Sequence, residues 1–315
     1  MIVLGIESTA HTLGIGLIKD KKVLCNLRAN YETETGGIIP SKSADFLAKS
    51  IPKLLSQLPV HLNKIDLVAF SQGPGIGQCL AVGAMLARTI SVQNNIPVIG
   101  VNHCVAHLEI GKMLTKAKDP VLLYTSGANT QVIAFEKGKY RIFGETLDMG
   151  VGNFLDAFGR SLDLGFPAGP KIEKLALKSG NYIELPYVVK GMDVSFGGLL
   201  TNLKQKLSQY SKEDLCYSAQ ETIFPMLLEV TERAMAHCNK TELLLGGGVA
   251  CNKRLQEMSK KMCDDRKAKF FVPKSEFLID NGAMIAWLGL IDYKSGKRLD
   301  VNDSVIKPDW RTDQV

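Results

Sequence analysis

The feature that most constrains the fold of this chain is a layout of short apolar segments that occurs twice. In the first copy, residues 2–7 and 12–18 are apolar runs on either side of a small polar turn. In the second copy, residues 120–125 and 130–136 flank a similar turn at residues 126–129. Pairs of apolar runs around a tight polar turn predict strand–turn–strand hairpins.

Each predicted hairpin is followed by the same kinds of segment in the same order. A third strand candidate spans residues 22–28 in the first copy and 139–145 in the second. Helical patterns come next, and then a buried strand, at residues 66–71 or 242–245, that runs into glycines. Two β-β-β-α-β-α-β copies with helices on the sheet faces predict a two-lobed α/β protein. Any α/β protein can contain hairpins and glycine turns, but four features recurring in order favour a duplication.

The length of 315 residues suits one large domain or two ordinary ones. We place the lobe boundary near Lys118, which gives an N-terminal lobe at residues 1–118 and a C-terminal lobe at residues 119–315. The C-terminal helix or tail of the second lobe can pack back on the first.

The composition is typical of a globular protein, with 45% hydrophobic and 22% charged residues. No apolar run approaches the ~20 residues of a membrane span, and the first residues lack the basic segment of a signal peptide. Because there is no such run, we expect no membrane association. The seven cysteines contain no C-x-x-C pair, so we expect the protein to be located in a reducing cytoplasm. The net charge of +6 permits a nucleic-acid partner without requiring one.

Three turns are candidates for nucleotide binding. The turns at residues 7–10 and 126–129 carry small side chains, which let backbone N–H groups approach a phosphate closely. Either of them can equally be a simple turn. The glycines at 246–248 follow an apolar strand and precede a helix, where the backbone can lie flat against an adenosine. A tight strand–helix packing turn is the alternative for these glycines.

Two histidines have the spacing of a metal-binding pair. His103 and His107 lie four residues apart in a helical pattern, so both imidazoles lie on one helix face. Cys104 occupies the position where a metalloprotease helix needs glutamate, which excludes that class. Asp280 is a candidate third ligand, with helix capping as the alternative. Two histidines and a carboxylate suit iron(II) or zinc, although two unrelated histidines remain the alternative.

Several charged residues have no function that the pattern alone indicates. Asp156 lies on a helical pattern, and Lys171 and Glu173 follow a Gly/Pro loop, which indicates a solvated helix face and an ordinary loop. The basic stretches 253–254, 260–261 and 266–267 could contact phosphates, and solvated surface is the alternative for each of them.

Six motifs, taken together, resemble one family. They occur in this order: VNHCVAHLE, LLYTSGANTQV, FGETLDMGVGN, GFPAGPKIE, LLGGGVACN and IDNGAMIA. They resemble the universal tRNA threonylcarbamoyladenosine transferase family, and most of all its archaeal–eukaryotic branch, the catalytic subunit of the KEOPS complex. The similarity extends over essentially the whole chain.

The resemblance implies an ASKHA fold, that of actin, Hsp70 and sugar kinases. It also implies transfer of a threonylcarbamoyl group from threonylcarbamoyl-adenylate to N6 of the adenosine 3′ of the anticodon in tRNA. One divalent metal ion, iron in preference to zinc, is expected to be bound by His103, His107, Tyr124 and Asp280. The adenine nucleotide, either the adenylate or ATP, is expected to be bound by Tyr124, Thr125, Ser126, Gly127, Ala128, Asp156, Gly169, Glu173, Gly247, Gly248 and Asn252.

The partners that the resemblance implies are tRNA and KEOPS subunits, including a small kinase-like ATPase and accessory dimerisation subunits. Some family members carry a kinase fused at the C-terminus, and this chain stops before any such domain. Departures from the family pattern occur at five places and remove no proposed metal ligand. They are Leu47 for histidine, Ala128 and Ala168 for glycine, Gly197 for serine, and Leu278-Ile279 for a more polar pair.

Two other functions remain as alternatives. An ATPase or phosphotransferase of the same fold would have similar phosphate-binding turns. A non-catalytic scaffold would have no use for His103, His107 and Asp280. Because the two histidines fall in the predicted first lobe and Asp280 in the second, we expect a metal bound by all three to join the lobes around the nucleotide.

Overall fold

The structure is a computed structural model, and it describes residues 1–34 and 36–315. Its residues form two compact units. The first unit comprises Met1–Glu32, Ile38–Leu114 and Ile279–Val315, and the second comprises Thr33–Gly37 and Thr115–Leu278.

Both units contain strands and helices. In the described residues the strands are β1 Ile2–Glu7, β2 Thr12–Lys19, β3 Lys22–Asn30, β4 Leu67–Gly73, β5 Val98–Asn102, β6 Val121–Thr125, β7 Thr130–Glu136, β8 Lys139–Glu145, β9 Val189–Lys190, β10 Asp193–Val194, β11 Glu242–Gly246 and β12 Lys269–Phe271. The α-helices are α1 Pro40–Leu55, α2 Gly77–Asn94, α3 His103–Leu114, α4 Val151–Ser161, α5 Gly169–Ala176, α6 Gly197–Lys206, α7 Lys212–His237, α8 Lys253–Asp265, α9 Ser275–Leu278 and α10 Gly282–Lys294.

The two large sheets have the same topology. The sheet of the first unit has the order β3-β2-β1-β4-β5, and that of the second has the order β8-β7-β6-β11-β12. In each, the first three strands form an antiparallel meander, and the last two run parallel to the first strand of that meander. The predicted duplication and its hairpins are therefore confirmed. Each unit has its own apolar core.

The C-terminal helix α10 packs on the sheet of the first unit. It is apolar on almost every face, which is typical of a helix that is buried all round. Glycines make the approach possible, because a Cβ atom at Gly282 would collide with the backbone N of Gly16, and a Cβ at Gly5 with the carbonyl O of Gly282. This contact explains why the segment that follows Leu278 belongs to the first unit.

One departure from the family pattern has a structural explanation. Leu47 stands where relatives often have histidine, and it is fully buried in the apolar core of the first unit.

No helix within residues 1–34 and 36–315 is both long enough and apolar enough to cross a membrane.

Candidate metal centre and nucleotide-binding turns

The start of α3 positions the two histidines. Strand β5 ends at Asn102, whose side-chain oxygen accepts hydrogen bonds from the backbone N–H of Cys104 at 3.0 Å and of Val105 at 3.2 Å. This cap begins the helix at His103, so the predicted i, i+4 pair lies on one helix face. The side chains of His103 and His107 are 5% and 0% exposed, and their ring centroids are 4.9 Å apart.

Asp280 faces both histidines. Its Oδ1 atom lies 3.4 Å from Nε2 of His103 and 3.4 Å from Nε2 of His107. The ligand atoms of the three side chains all lie within 4.8 Å of one another, a spacing that fits one metal ion. Helix capping does not explain Asp280, because Asn281 caps α10 by accepting a hydrogen bond from the N–H of Met284 at 3.0 Å.

All three side chains belong to the first unit. The expectation that His103 and His107 come from one lobe and Asp280 from the other is therefore wrong. Sequence order placed Asp280 with the second lobe, whereas the packing of α10 on β1 and β2 returns the chain to the first unit.

A buried carboxylate orients His103 from its other side. Oε2 of Glu7 lies 2.9 Å from Nδ1 of His103, and Oε1 of Glu7 accepts a hydrogen bond from the N–H of Thr9 at 2.6 Å. Glu7 is fully buried at the end of β1. With its Nδ1 proton held by this carboxylate, His103 would present the lone pair of Nε2 to a metal ion once the Nε2 proton is displaced, as in carboxylate–histidine–metal arrangements.

The combined effect of burial and neighbouring charges raises the pKa of His103 and lowers the pKa values of His107 and Asp280. Burial opposes a charge on His103, but the carboxylates of Glu7 and Asp280 outweigh it and hold the pKa of His103 well above its usual value. Burial lowers the pKa of His107. Burial also opposes a charge on Asp280, yet the adjacent His103 holds the pKa of that carboxyl well below its usual value.

From the sequence, Glu7 is predicted only as part of a phosphate turn and not as a member of the metal cluster. The sequence feature that could have indicated such a role is the position of this carboxylate directly after the apolar run at residues 2–6. Such a group ends a buried strand and needs a partner of its own.

Tyr124 lies in the second unit. It is fully buried in β6, where it pairs with Gly246 of β11 and with Gln131 of β7. Its assignment as a fourth ligand stays a prediction.

The turn that follows Tyr124 is fixed against the start of α4. The carbonyl oxygens of Ser126 and Gly127 accept hydrogen bonds from the N–H of Gly152 at 3.0 Å and of Asn153 at 2.9 Å. Gly127 and Ala128 are exposed at the tip of the turn. The sequence therefore predicted the turn correctly, and the structure shows which helix holds it.

The second glycine turn lies against the end of β6. Gly247 has a φ of +90°, and a Cβ atom there would collide with the carbonyl of Thr125. Because β6 and β11 are parallel, the turns after both strands lie at the same edge of the sheet. Gly248 is exposed directly beyond this contact.

The remaining nucleotide-binding candidates join the helices next to these turns. Oδ1 of Asp156 in α4 accepts a hydrogen bond from the N–H of Ala168 at 2.8 Å, directly before Gly169 begins α5. Oε1 of Glu173 in α5 accepts one from the N–H of Lys253 at 2.7 Å, at the start of α8. These acids are thus not merely a solvated face.

Asn252 caps α8. Its side-chain oxygen accepts a hydrogen bond from the N–H of Leu255 at 3.2 Å, and its amide donates to Oε1 of Gln220 at 2.6 Å. The side chain is buried with both of its polar groups engaged in protein contacts. In this conformation Asn252 supports the adjacent glycine turn.

Solved structures of other proteins share the fold of this chain. Over 94% of this chain, the structure is similar to HypF of Thermococcus kodakarensis, with a TM-score of 0.65 and 15% identity, and the match covers 48% of that protein. It is also similar to component A of (R)-2-hydroxyglutaryl-CoA dehydratase of Acidaminococcus fermentans, with a TM-score of 0.62 and 14% identity, over 94% of this chain and 100% of that one. At these identities the likeness shows the fold alone, and that fold is of the predicted ASKHA type.

Relatives identified by sequence have much higher identities to this chain than these solved structures. The chain is 55% identical to the tRNA N6-adenosine threonylcarbamoyltransferase of Thermococcus kodakarensis, over 100% of this chain and 98% of that protein. It is 52% identical to a probable bifunctional tRNA threonylcarbamoyladenosine biosynthesis protein of Methanocaldococcus jannaschii, of which it spans 60%. The model of the tRNA N6-adenosine threonylcarbamoyltransferase family matches residues 22–287. On the evidence of this family match and of a relative with 55% identity, the chain belongs to the tRNA N6-adenosine threonylcarbamoyltransferase family.

Proposed function

We propose that this chain transfers the threonylcarbamoyl group of threonylcarbamoyl-adenylate to N6 of the adenosine 3′ of the anticodon in tRNA. The observation that carries the proposal is 55% identity, over the whole chain, to a relative named for this transfer. In the reaction, the N6 amine attacks the carbamoyl carbonyl carbon, the bond from that carbon to the phosphate oxygen breaks, AMP leaves, and the amine loses a proton. Because the donor is already activated, positioning and charge stabilisation matter more than a covalent nucleophile.

We infer that His103, His107 and Asp280, together with Tyr124, hold a divalent metal ion. The donor set fits, because two imidazole nitrogens and one carboxylate oxygen converge within 4.8 Å. Two histidines and one carboxylate are typical of non-haem iron(II), which favours iron over zinc. When bound, such an ion supplies a Lewis acid for a phosphoryl or carbonyl oxygen.

The second unit would hold the adenylate. The exposed backbone at Gly127 and Ala128 suits a phosphate, since small side chains allow close approach of the N–H groups. The turn at Gly247 and Gly248 suits the adenosine, and the carboxylates of Asp156 and Glu173, on the adjoining helices, suit ribose hydroxyls.

The proposed partners are tRNA and KEOPS-type subunits, including a small kinase-like ATPase and accessory dimerisation subunits, and the proposed location is the cytoplasm. The name of the Methanocaldococcus jannaschii relative, a bifunctional protein that is longer than this chain, supports a second activity working beside this one.

A reconstituted reaction tests the function directly. The purified chain, with metal and partner subunits, is incubated with threonylcarbamoyl-adenylate and a tRNA transcript, and the nucleosides are analysed by mass spectrometry. We expect threonylcarbamoyladenosine from the natural transcript and none from a transcript with guanosine at that position. Steady ATP turnover that survives His103→Ala, without tRNA modification, would instead identify an ATPase. Partner binding without either reaction would identify a scaffold.

A further inference from the structure

One end of the large sheet of the second unit carries six exposed lysines. Strands β6, β11 and β12 are parallel, so their first residues lie at the same edge, and the β7–β8 hairpin turns at that edge too. We call the exposed lysines there the lysine rim. Its members are Lys116, Lys118, Lys137, Lys139, Lys267 and Lys269.

The acids at this edge are already engaged by other groups. The buried Nζ of Lys240 lies 2.6 Å from Oδ1 of Asp119 and 3.1 Å from Oε1 of Glu136. Oε2 of Glu242 accepts hydrogen bonds from the backbone N–H of Lys118 at 2.7 Å and of Asp119 at 3.0 Å. These contacts also tie the segment before β6 to the end of β7 and the start of β11. The segments that carry the rim are therefore joined to one another by hydrogen bonds and ion pairs.

The positive charge of the rim is not neutralised by the protein. Within residues 1–34 and 36–315, none of the six rim lysines forms an ion pair with an acidic side chain. Counted over residues 116–119, 136–139, 240–242 and 267–269, seven lysines stand against three acids, a local net charge of +4. Such an excess attracts a polyanion, and the attraction weakens with salt.

Two of the three basic stretches identified in the sequence, residues 253–254 and 260–261, lie on α8 and not in the rim, whereas Lys267 of the third stretch belongs to the rim. On α8, Nζ of Lys260 lies 2.6 Å from Oδ2 of Asp264, and Nζ of Lys261 lies 3.0 Å from Oδ2 of Asp265. Arg254 is paired in the same way with Glu221. These charges are largely offset within the surface of α7 and α8, whereas those of the rim are not.

The rim and the proposed nucleotide turn lie at opposite ends of one strand. β6 runs from the rim to the turn at Ser126, and its five residues span about 16 Å. A polynucleotide presents phosphates along its whole length, so one substrate can reach both ends. We infer that the lysine rim binds phosphates of the tRNA substrate, an inference that rests on the proposed function.

Charge removal at the rim tests this. The triple variant Lys116→Gln, Lys139→Gln, Lys269→Gln removes one lysine from each of three segments. The control Lys42→Gln, Lys49→Gln, Lys53→Gln removes the same charge from exposed positions of α1 in the first unit. Fluorescence anisotropy measures binding of a tRNA transcript to the full chain, from about 50 mM to about 200 mM salt.

We expect the rim variant to bind tRNA about tenfold more weakly at low salt, with a salt slope shallower by about one for each lysine that contacts a phosphate. The control should keep the wild-type slope. A matching Lys→Arg triple, which keeps the charge at the same three rim positions, should bind like wild type. Adenine-nucleotide affinity, measured on every variant, should not change.

The inference is overturned if the rim variant binds tRNA like wild type, if the control loses as much affinity, or if the arginine triple also fails to bind. It is equally overturned if the wild-type chain does not bind tRNA at low salt. Failure of the proposed function looks different, because the wild-type chain with its partners would then leave tRNA unmodified. A wild type that modifies tRNA beside a rim variant of unchanged affinity would refute only the role of the rim.

Discussion

At the residue scale, Glu7 and Asp280 hold His103 from two sides. Glu7 faces Nδ1 at 2.9 Å and Asp280 faces Nε2 at 3.4 Å, so the ring has little freedom to turn. Asn281, next to Asp280, has the capping role that is the alternative interpretation of the aspartate. Asp280 thus faces the histidines while Asn281 caps α10, and variants of each residue can test these two roles.

Removing the carboxylate that orients His103 should weaken metal binding. We expect Glu7→Ala to lower metal affinity by about 10- to 100-fold, because the histidine loses the partner that fixes its Nδ1 proton. Glu7→Gln, which keeps an acceptor oxygen but loses the charge, should lower it less. Competition with a chelator measures the affinity without any assay of transfer. Equal metal affinities in both variants and wild type would show that Glu7 has only a structural role.

Asp280→Ala should lose the metal, whereas Asn281→Ala should keep it. The first change removes an oxygen that faces both imidazoles, and we expect threonylcarbamoyl transfer to fall by at least about 10²-fold. The second removes the cap of α10 and should cost about 1 kcal/mol of the free energy of unfolding. Elemental analysis and thermal unfolding of both purified variants check this. Full metal content in Asp280→Ala would favour a structural reading of the cluster.

At the element scale, two short segments are held in place by hydrogen bonds. The turn at residues 126–129 is held by the start of α4, and the loop before α6 is held by Asp148. Neither contact is local in sequence. We therefore expect changes at the turn to affect nucleotide binding and changes at Asp148 to affect stability.

Gly127→Val should weaken nucleotide binding and leave the metal in place. A Cβ atom at Gly127 would lie 3.5 Å from Oδ1 of Asn153, an ordinary contact, so the variant should fold. The branched side chain would nevertheless block close approach of a phosphate to the turn, and we expect at least a tenfold loss of affinity, about 1.4 kcal/mol. Gly180→Val, at an exposed position with open space, is the control. Unchanged affinity by calorimetry would remove the turn from the site.

Asp148 should stabilise the second unit in a pH-dependent way. Partial burial opposes its charge, but hydrogen bonds from the Ser195 hydroxyl and the N–H groups of Phe196 and Gly197 outweigh it and lower its pKa to about 2. A lowered folded-state pKa means that the stabilisation is complete above the unfolded value of 3.8 and is lost as the pH falls towards 2. Since the side chain is largely exposed, we expect Asp148→Asn to cost only about 1 kcal/mol at pH 7.

Urea unfolding of wild type and Asp148→Asn between neutral pH and pH 3 measures this difference. The gap between the two free energies of unfolding should narrow below about pH 4. A gap that stays constant over this range would show that the aspartate charge does not contribute.

At the scale of the whole molecule, two units with the same sheet topology carry different chemistry. The first contains the histidine–aspartate cluster, and the second contains the glycine turns and the lysine rim. The lysine rim of the second unit consists of six exposed lysines, and a surface that contacts so few phosphates binds tRNA weakly at physiological salt.

We therefore expect the isolated chain to bind adenine nucleotides but to modify tRNA poorly without its partner subunits. Calorimetry with nucleotide and a transfer assay, each with and without partners, measure the two properties. Efficient transfer by the chain alone, given only threonylcarbamoyl-adenylate and tRNA, would contradict the requirement for partners.

The sequence by itself determined the elements, because their signals are local. Apolar runs around small turns predicted the four hairpin strands, the i, i+4 histidines predicted one helix face, and the repeated order of segments predicted a duplicated ASKHA fold. The family motifs contain His103, His107 and Asp280, whose ligand atoms lie within 4.8 Å of one another in the structure.

Only the tertiary structure decided which distant residues meet. Asp280 joins His103 and His107 because glycines at positions 5 and 16 let α10 approach the sheet of the first unit, a contact that no local pattern contains. Glu7 faces His103, and the six rim lysines converge, because parallel strands bring residues that are far apart in sequence to the same edge. Contacts of this kind depend on strand order and helix packing, and these are properties of the folded chain.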